Sequence, residues 1–441
     1  MKWLNAEFLG AALFLLFGAF LFLHPFPAAL ADYANWTYQG VLLSHHWKHL
    51  PETAHLVKLY PVPNSAATFG VACFALFFPW AIAGKLWLCV QFALCFYALH
   101  HFARTLRLSG WMWALVPVAA FFSVDLWYGF VNFVLGVAWA VLFASMLLRR
   151  AQGEHPARSF DAPLALVLVL AFFTHMIPFA FCCWMLFWYA AQLRRRGLLW
   201  SMAPTVLLTL WYIFARYFVF HNVDGETGQV AAQRYLSVSF WLFKANSYLK
   251  SFGFVNPILG YFPVHTGARL LVFFLCNVLL ALLSGWLIVR TARDHLRERT
   301  PQRFLWLAIL STLPVVLLLP SAALGIGDPG ARLLQVLLGI ALILIFQSPS
   351  RLFPLIGTLA LLMTANSAIL FARLVTSPQR TTPPHITALP RAITYFATTP
   401  YANQIYFYQA LSQADTGIEI FSSGVLINLP SARHAVLPPI P

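Results

Sequence analysis

The sequence predicts an all-α polytopic membrane protein with about 11 transmembrane helices, some of them shorter than the roughly 20 residues that usually cross a bilayer. Hydrophobic residues make up 61% of the chain and charged residues 9%, against roughly 45–50% and 25% in an ordinary soluble domain. The apolar residues form long blocks that arginines separate, without the alternation of apolar and polar residues that marks a membrane β-barrel. The 16 Trp, 15 Tyr and 41 Phe are typical of a protein with aromatic belts at both membrane interfaces.

Hydropathy and the positive-inside rule together fix the predicted spans. The apolar segment 66–80 is short, and counting it as a span would place Arg104 and Arg107 outside, so we predict an interfacial helix there. Every short Arg-rich loop then falls on the inner side. The predicted transmembrane helices cover residues 4–29, 82–102, 111–123, 130–148, 164–174, 179–191, 198–220, 270–289, 304–319, 333–346 and 352–371.

The predicted organisation is one bundle with two large outer loops and an outer tail. Residues 1–375 form the bundle, residues 31–81 a first outer loop with interfacial helices, and residues 221–268 a second outer loop. Residues 376–441 form a small extracytoplasmic C-terminal tail. The amino terminus is predicted inside and the carboxyl terminus outside. The net charge of +15 does not indicate nucleic-acid binding, because the arginines lie at helix ends rather than on one soluble face.

Asp32 is the first candidate for chemistry, since it lies where the first predicted span reaches the outer side. An acid in this position can act as a general base, ligate a metal, or cap the helix that follows it. Position alone leaves these roles open.

The histidines of the first outer loop are candidate ligands for a metal ion. His45 and His49 are four residues apart, which would place two imidazoles on one face of a helix. The glutamate of a zinc-protease motif is absent, as is any C-x-x-C pair. We therefore predict no metal and no cofactor, although a divalent ion remained an alternative.

Four further polar residues lie near predicted outer helix ends. His175 stands between two short apolar segments, either as a turn residue or facing a cavity. Asn132, at the start of the span 130–148, is either a ligand contact or a hydrogen bond between helices. Asp328 and Arg332 have the spacing of an i,i+4 ion pair, and Arg332 also suits a phosphate because its planar guanidinium matches two phosphate oxygens.

A family resemblance rests on five segments: DYANWTYQGVLLSHHW, YPVPNSAATFGVACFALFFP, WYGFVNFVLGVAWAVL, FFTHMIPF and GDPGARLLQVLLGIAL. Together with the predicted architecture of residues 1–375, they resemble a bacterial family within the GT-C superfamily of polyprenyl-phosphate-sugar-dependent glycosyltransferases. In that family the first acid usually opens a D-x-x-N-H motif. Asp32 and Asn35 match it, whereas Trp36 stands where the family has histidine.

The resemblance implies a glycosyltransferase at the outer face of a bacterial cytoplasmic membrane. It would move a sugar from a polyprenyl-phosphate donor to an extracytoplasmic acceptor, with Asp32 as general base and with inversion at the anomeric carbon. Membrane lipids and protein subunits of a membrane complex are the other expected partners. The residues expected to contact substrate are Asn35, Asn132, His175, Asp328 and Arg332.

Three other classes of membrane protein are alternatives to a glycosyltransferase. A GT-C-like protein without activity, acting as a scaffold or accessory subunit of a membrane complex, is the principal alternative. A secondary transporter would show internal repeats and charges near the middle of the membrane, which this sequence lacks. A haem protein would need paired axial ligands at matched depth, and His24, His100, His101 and His175 do not form such pairs.

Overall fold

The structure, a computed structural model, describes residues 33–49, 61–108, 124–127, 129–153, 159–215, 268–320, 326–347 and 350–359, with isolated positions at 12, 15, 19, 218, 322–323 and 362 and part of 237–248. The predicted spans 4–29 and 111–123 and the tail 376–441 lie outside this set or are represented only by those isolated positions.

Helices make up nearly all of the described structure. Their bounds are α1 Tyr33–Trp47, α2 Ala66–Ala75, α3 Trp80–Thr105, α4 Val124–Trp127, α5 Val131–Ala151, α6 Ala162–Thr174, α7 Met176–Gln192, a 3₁₀ helix Arg196–Met202, α8 Ala203–Phe214, α9 Ala268–Arg297, α10 Arg303–Leu318 and α11 Pro329–Ile345. Two short strands, β1 Ala322–Ala323 and β2 Ile326–Gly327, pair antiparallel between α10 and α11.

Among the residues that the structure describes, four helical segments are long and apolar enough to cross a membrane: Ile82–Thr105, Val131–Ala151, Arg196–Phe214 and Leu275–Arg297. The described chain is therefore that of an all-α membrane protein, as the sequence predicts. Five shorter apolar helices accompany them: Ala66–Ala75, Ala162–Thr174, Met176–Gln192, Arg303–Leu318 and Pro329–Ile345. The number of about 11 spans stays a prediction.

Helix boundaries differ from the prediction where local chemistry outweighs hydropathy. The span predicted to end at residue 289 continues to Arg297, since the arginines of its last turns are good helix formers. The span 198–220 begins instead as a 3₁₀ turn, and the α-helix starts at Ala203, where Pro204 fits the first turn without needing a hydrogen-bond donor.

Helices α1 and α2 pack against each other at very short range. A Cβ placed on Gly40 would lie 2.6 Å from Val71 Cβ and 2.9 Å from the Thr68 carbonyl oxygen, so only glycine allows this approach. Most of α2 is buried. This helix, which the sequence predicts as interfacial, is thus packed into the protein on most of its surface.

Helices α5 and α11 form the centre of the bundle. Nearly every residue of each is buried, and they meet where the Cβ position of Gly339 lies 3.2 Å from Val137 Cγ1. A helix that is apolar on all sides, as both of these are, is typical of such a central position.

Hydrogen bonds show which helix ends lie together. His101 Nδ1 lies 2.7 Å from Ser145 Oγ, and the Arg150 guanidinium donates to both Asp161 carboxylate oxygens at 2.6 and 2.8 Å. The Gln347 amide donates to the Leu106 carbonyl at 3.0 Å. The ends of α3, α5 and α11 and the start of α6 therefore share one end of the bundle, here called the basic end because Arg104, Arg149 and Arg150 lie there.

Candidate functional site

Arg332 is the centre of a cluster at the end of the bundle opposite the basic end. Its guanidinium carbon lies 4.0 Å from the centre of the Phe130 ring and 5.8 Å from that of Phe133. One guanidinium nitrogen, Nη1, lies 3.3 Å from His175 Nε2. Arginine stacked on aromatic rings is held in a fixed orientation, so α5, α11 and the turn between α6 and α7 position this cation together.

His175 is buried, with 2% of its surface exposed, and both ring nitrogens have defined neighbours. Its Nδ1 accepts a hydrogen bond from the Ile177 backbone N–H at 3.2 Å and thereby caps α7. The ring meets Phe133 edge-on at 5.2 Å. Gly136 leaves room for this turn, because a Cβ there would lie 2.8 Å from Pro178 Cγ and 3.5 Å from His175 Cβ.

The protonation state of His175 follows from these neighbours. Burial, and secondarily the charge of Arg332, lower its pKa, so the ring is neutral and carries one N–H. The Ile177 N–H is directed at Nδ1 and an Arg332 Nη1–H at Nε2, 3.3 Å away, and the position of the one ring proton decides which nitrogen accepts. Arginine has no acceptor, so Arg332 supplies donors only. Its guanidinium, oriented by His175 and the aromatic rings, suits an anionic oxygen.

Asp125 lies close to this pair on the short helix α4. Its side chain is buried, and burial raises its pKa to about 6, while Arg332 lowers and Asp328 raises that value. The backbone carbonyl of Asp125 accepts the Phe130 N–H at 3.0 Å. The same turn thus places the Phe130 ring under the guanidinium of Arg332 and Asp125 close enough to feel its charge.

Asp328 begins α11 in a left-handed backbone conformation with φ of 47°. Its carboxylate accepts the Ala331 N–H at 3.4 Å and so caps the helix. The Arg332 guanidinium, by contrast, faces His175 and Phe130. Among side chains that the structure describes, Asp328 and Arg332 do not form the predicted ion pair, although Asp328 still contributes negative charge near Asp125 and Lys244.

Lys244, in the second predicted outer loop, holds that loop against the end of α10. Its buried ammonium donates to the carbonyls of Leu317, at 2.7 Å, and Leu319. The Tyr248 hydroxyl donates to the Val316 carbonyl at 2.7 Å, and its oxygen lies 3.1 Å from the Cβ position of Gly330 in the first turn of α11. This second cation is thus next to the helix that carries Arg332.

Asn132 does not join the cluster. Its Oδ1 accepts the Ala67 N–H at 2.7 Å, and its Nδ2 donates to the Asn64 carbonyl at 2.8 Å. Both ends of the amide therefore fix the start of α2, which is the helix-to-helix role that the sequence left open.

Asp32 lies outside the described residues, as does the side chain of Asn35. The helix begins at Tyr33, whose buried hydroxyl donates to the Gly84 carbonyl at 2.6 Å and ties the start of α1 to α3. His49 lies beyond the end of α1 with φ of 58°, so it does not share a helix face with His45. No group of three metal-ligating side chains occurs in the part of the chain that the structure describes.

The sequence brings forward His175 and Arg332 but not their proximity, since 157 residues separate them. The sequence does not single out Asp125 or Lys244. Their burial depends on packing between distant segments, and no local pattern in the sequence signals it.

The fold and this site define an all-α membrane protein in which a half-buried arginine lies near a buried histidine and a buried aspartate at one end of the bundle. Comparison with protein-family models, with curated proteins and with solved structures finds no match to this chain.

Proposed function

We propose that the protein is a membrane glycosyltransferase that moves a sugar from a polyprenyl-phosphate donor to an extracytoplasmic acceptor. The observation that carries the proposal is the half-buried guanidinium of Arg332, held beside the buried ring of His175 and over the Phe130 ring. A phosphate oxygen is a natural acceptor for guanidinium N–H groups, and a site surrounded by apolar helices suits a phosphate that carries a long hydrocarbon chain.

In the proposed reaction, Asp32 accepts the proton of the acceptor hydroxyl as the oxygen attacks the anomeric carbon in line. The bond from that carbon to the phosphate oxygen breaks, and the configuration inverts. Negative charge builds up on the departing lipid phosphate, where Arg332, with His175 beside it, stabilises it. Asp328 keeps α11 capped and Arg332 in place, and Asn35 follows Asp32 by three residues in the sequence.

The proposed setting is a bacterial cytoplasmic membrane crossed about 11 times, with the amino terminus inside and the carboxyl terminus outside. The separation of the basic end from the end that carries Asp125, His175 and Arg332 supports this orientation. Arginines at helix ends mark the cytoplasmic side when they lie in short loops, so the candidate site belongs to the extracytoplasmic face.

The test is transfer from a panel of polyprenyl-phosphate sugars by the protein in lipid nanodiscs, measured as released polyprenyl phosphate. Asp32→Asn should lower turnover about 100- to 10,000-fold, as expected for loss of a general base. Arg332→Gln should lower it about 100- to 1,000-fold, as expected for loss of one group that stabilises the leaving charge.

Arg290→Gln is the matched control. Arg290 is also an arginine near an aromatic ring, with its guanidinium carbon 5.4 Å from the Trp286 ring centre, but it belongs to the last turns of α9. Its substitution should leave turnover unchanged. Equal activity of Asp32→Asn and the unsubstituted protein would refute the proposal.

The alternative is a GT-C-like scaffold or accessory subunit of a membrane complex. The binding of both ends of the Asn132 amide to α2 favours it, because one expected substrate contact then serves structure. So does Trp36 in place of the family histidine. Co-purification at fixed stoichiometry with a complex whose activity survives Asp32→Asn would establish this role instead.

A further inference from the structure

Gln335 is a buried amide one turn along α11 from Arg332. Only 2% of its surface is exposed, and neither its Oε1 nor its Nε2 has a hydrogen-bond partner among the described residues. Buried side-chain amides are almost always hydrogen-bonded, and the requirement is stricter where lipid replaces water. An unpartnered glutamine next to a candidate site therefore indicates a polar ligand.

Helix geometry directs Gln335 into the same seam as Arg332. Around the axis of an α-helix, Gly339 lies about 20° from Arg332 and Gln335 about 60° from it on the same side. Arg332 faces the Phe130 and Phe133 rings, and Gly339 faces Val137. Gln335 thus shares this side of α11, and its i,i+3 spacing makes it a neighbour of Arg332.

The Gln335 side chain also points towards the Arg332 cluster, which consists of Arg332, His175, Phe130 and Phe133. The Cα of Gln335 lies about 4.5 Å further along the helix axis than that of Arg332. Helical side chains point back towards the amino terminus and cover the preceding turn. The side chain of Gln335 is therefore directed towards the level of the Arg332 Cα, and His175 and Pro178 of the neighbouring turn adjoin α5 there.

The chemistry of the two neighbouring polar side chains on α11 selects a ligand class. Arg332 supplies donors only, whereas the Gln335 amide supplies a donor at Nε2 and an acceptor at Oε1. A phosphate diester has only acceptors. A singly protonated phosphate monoester has acceptor oxygens and one O–H donor, so it can satisfy all of these groups together.

We propose that Gln335 is a third ligand contact of the Arg332 cluster and that the completed site binds a lipid phosphate monoester. This inference rests on the proposed function, in which a lipid phosphate monoester is the product that leaves. It adds that the site prefers this leaving lipid to the diester that donates the sugar.

The test is thermal unfolding of the full chain in detergent with farnesyl phosphate, its methyl ester or farnesol as the probe. Farnesyl phosphate should raise Tm more than the methyl ester, and farnesol should have no effect. Gln335→Met keeps the size of the side chain. It should raise Tm without ligand, since it removes an unpartnered buried amide, and should weaken apparent binding of farnesyl phosphate at least tenfold.

Asn277→Leu is the control. Asn277 is fully buried on α9, and its two polar side-chain atoms also lack partners in the described structure, but α9 packs against α10 and α11 rather than forming the seam with His175. This variant should keep the full response to farnesyl phosphate. Should Gln335→Met not fold, Gln335→Glu keeps the size, replaces the donor with an acceptor, and should lose the response.

The outcomes separate the two proposals. If neither ester stabilises the unsubstituted protein, the proposed function loses its anion site and this inference fails with it. If farnesyl phosphate stabilises the unsubstituted protein and Gln335→Met equally, only this inference is overturned. A lower Tm of Gln335→Met without ligand also overturns it, because the amide would then be bonded within the chain.

Discussion

Asp125 shows how one buried carboxyl links the candidate site to folding. It has few charges near it, of which Arg332 favours its ionised form and Asp328 opposes it. Burial outweighs both, so the folded protein binds a proton at Asp125 more tightly than the unfolded chain does. Ionisation of this group consequently destabilises the fold.

We predict that Asp125→Asn stabilises the protein at neutral pH. Between about pH 4 and pH 6 the native state binds more protons than the unfolded state at this residue, so stability falls as pH rises through this window. The full effect above pH 6 is about 3 kcal/mol for a shift of this size. Asparagine carries no such penalty, and urea unfolding of both proteins at pH 4.5 and 7.5 measures the difference.

A larger stability difference between the two proteins at pH 4.5 than at pH 7.5 would contradict this prediction. Asp161→Asn serves as a contrast. The Asp161 carboxylate is paired with Arg150 and caps α6, so its substitution should destabilise the protein at both pH values.

At this scale the sequence identifies residue types better than residue roles. His175 and Arg332 can be selected because ionisable groups near membrane spans are costly and need partners. The local sequence around Asn132 looks equally suited to a ligand, yet its amide holds α2. The difference depends on Asn64 and Ala67, which precede it by more than 60 residues, and no local pattern contains that information.

Among elements, α1 follows the proposed general base in the sequence and packs closely against α2 at Gly40. Asp32 directly precedes α1, and the close approach at Gly40 sets the position of that helix against α2. We predict that Gly40→Ala destabilises the protein by about 1–3 kcal/mol, the usual cost of overpacking, and lowers transfer activity by displacing the start of α1.

Gly285→Ala on α9 is the comparison for this prediction. A Cβ there meets nothing within 4 Å, so alanine should be neutral or favourable by up to about 1 kcal/mol. Thermal unfolding and activity of the two variants measure the effect. If Gly40→Ala and Gly285→Ala changed stability and activity equally, the close approach of Gly40 to Val71 would not contribute to stability.

The boundaries of the apolar helices could be predicted from the sequence. The packing of the short helix α2 could not. Helices α3, α5, α7, α10 and α11 begin and end within four residues of the predicted spans because hydropathy governs them. Segment 66–80 illustrates the limit, since composition distinguishes an apolar helix from a loop but not a surface position from a buried one. The burial of α2 depends on Asn132 and on α1.

For the whole molecule, the separation of the basic end from the end that carries Arg332 yields a prediction about the orientation of the protein in the membrane. In a background with Cys73 and Cys89, both exposed, replaced by serine, we expect a membrane-impermeant maleimide to label His49→Cys from the extracytoplasmic side. Arg195→Cys should react only after the membrane is opened. Both positions are exposed, so labelling reports sidedness, and the opposite pattern would place the candidate site in the cytoplasm.

The distance in sequence between His175 and Arg332 has a consequence for biogenesis. Membrane segments leave the ribosome in order, and earlier elements form first. The turn that presents His175 and its aromatic neighbours can therefore form as soon as α5 to α7 have inserted, but the guanidinium arrives only with α11. A nascent chain that has not yet inserted α11 lacks Arg332, so the proposed phosphate site can form only at a late stage of synthesis.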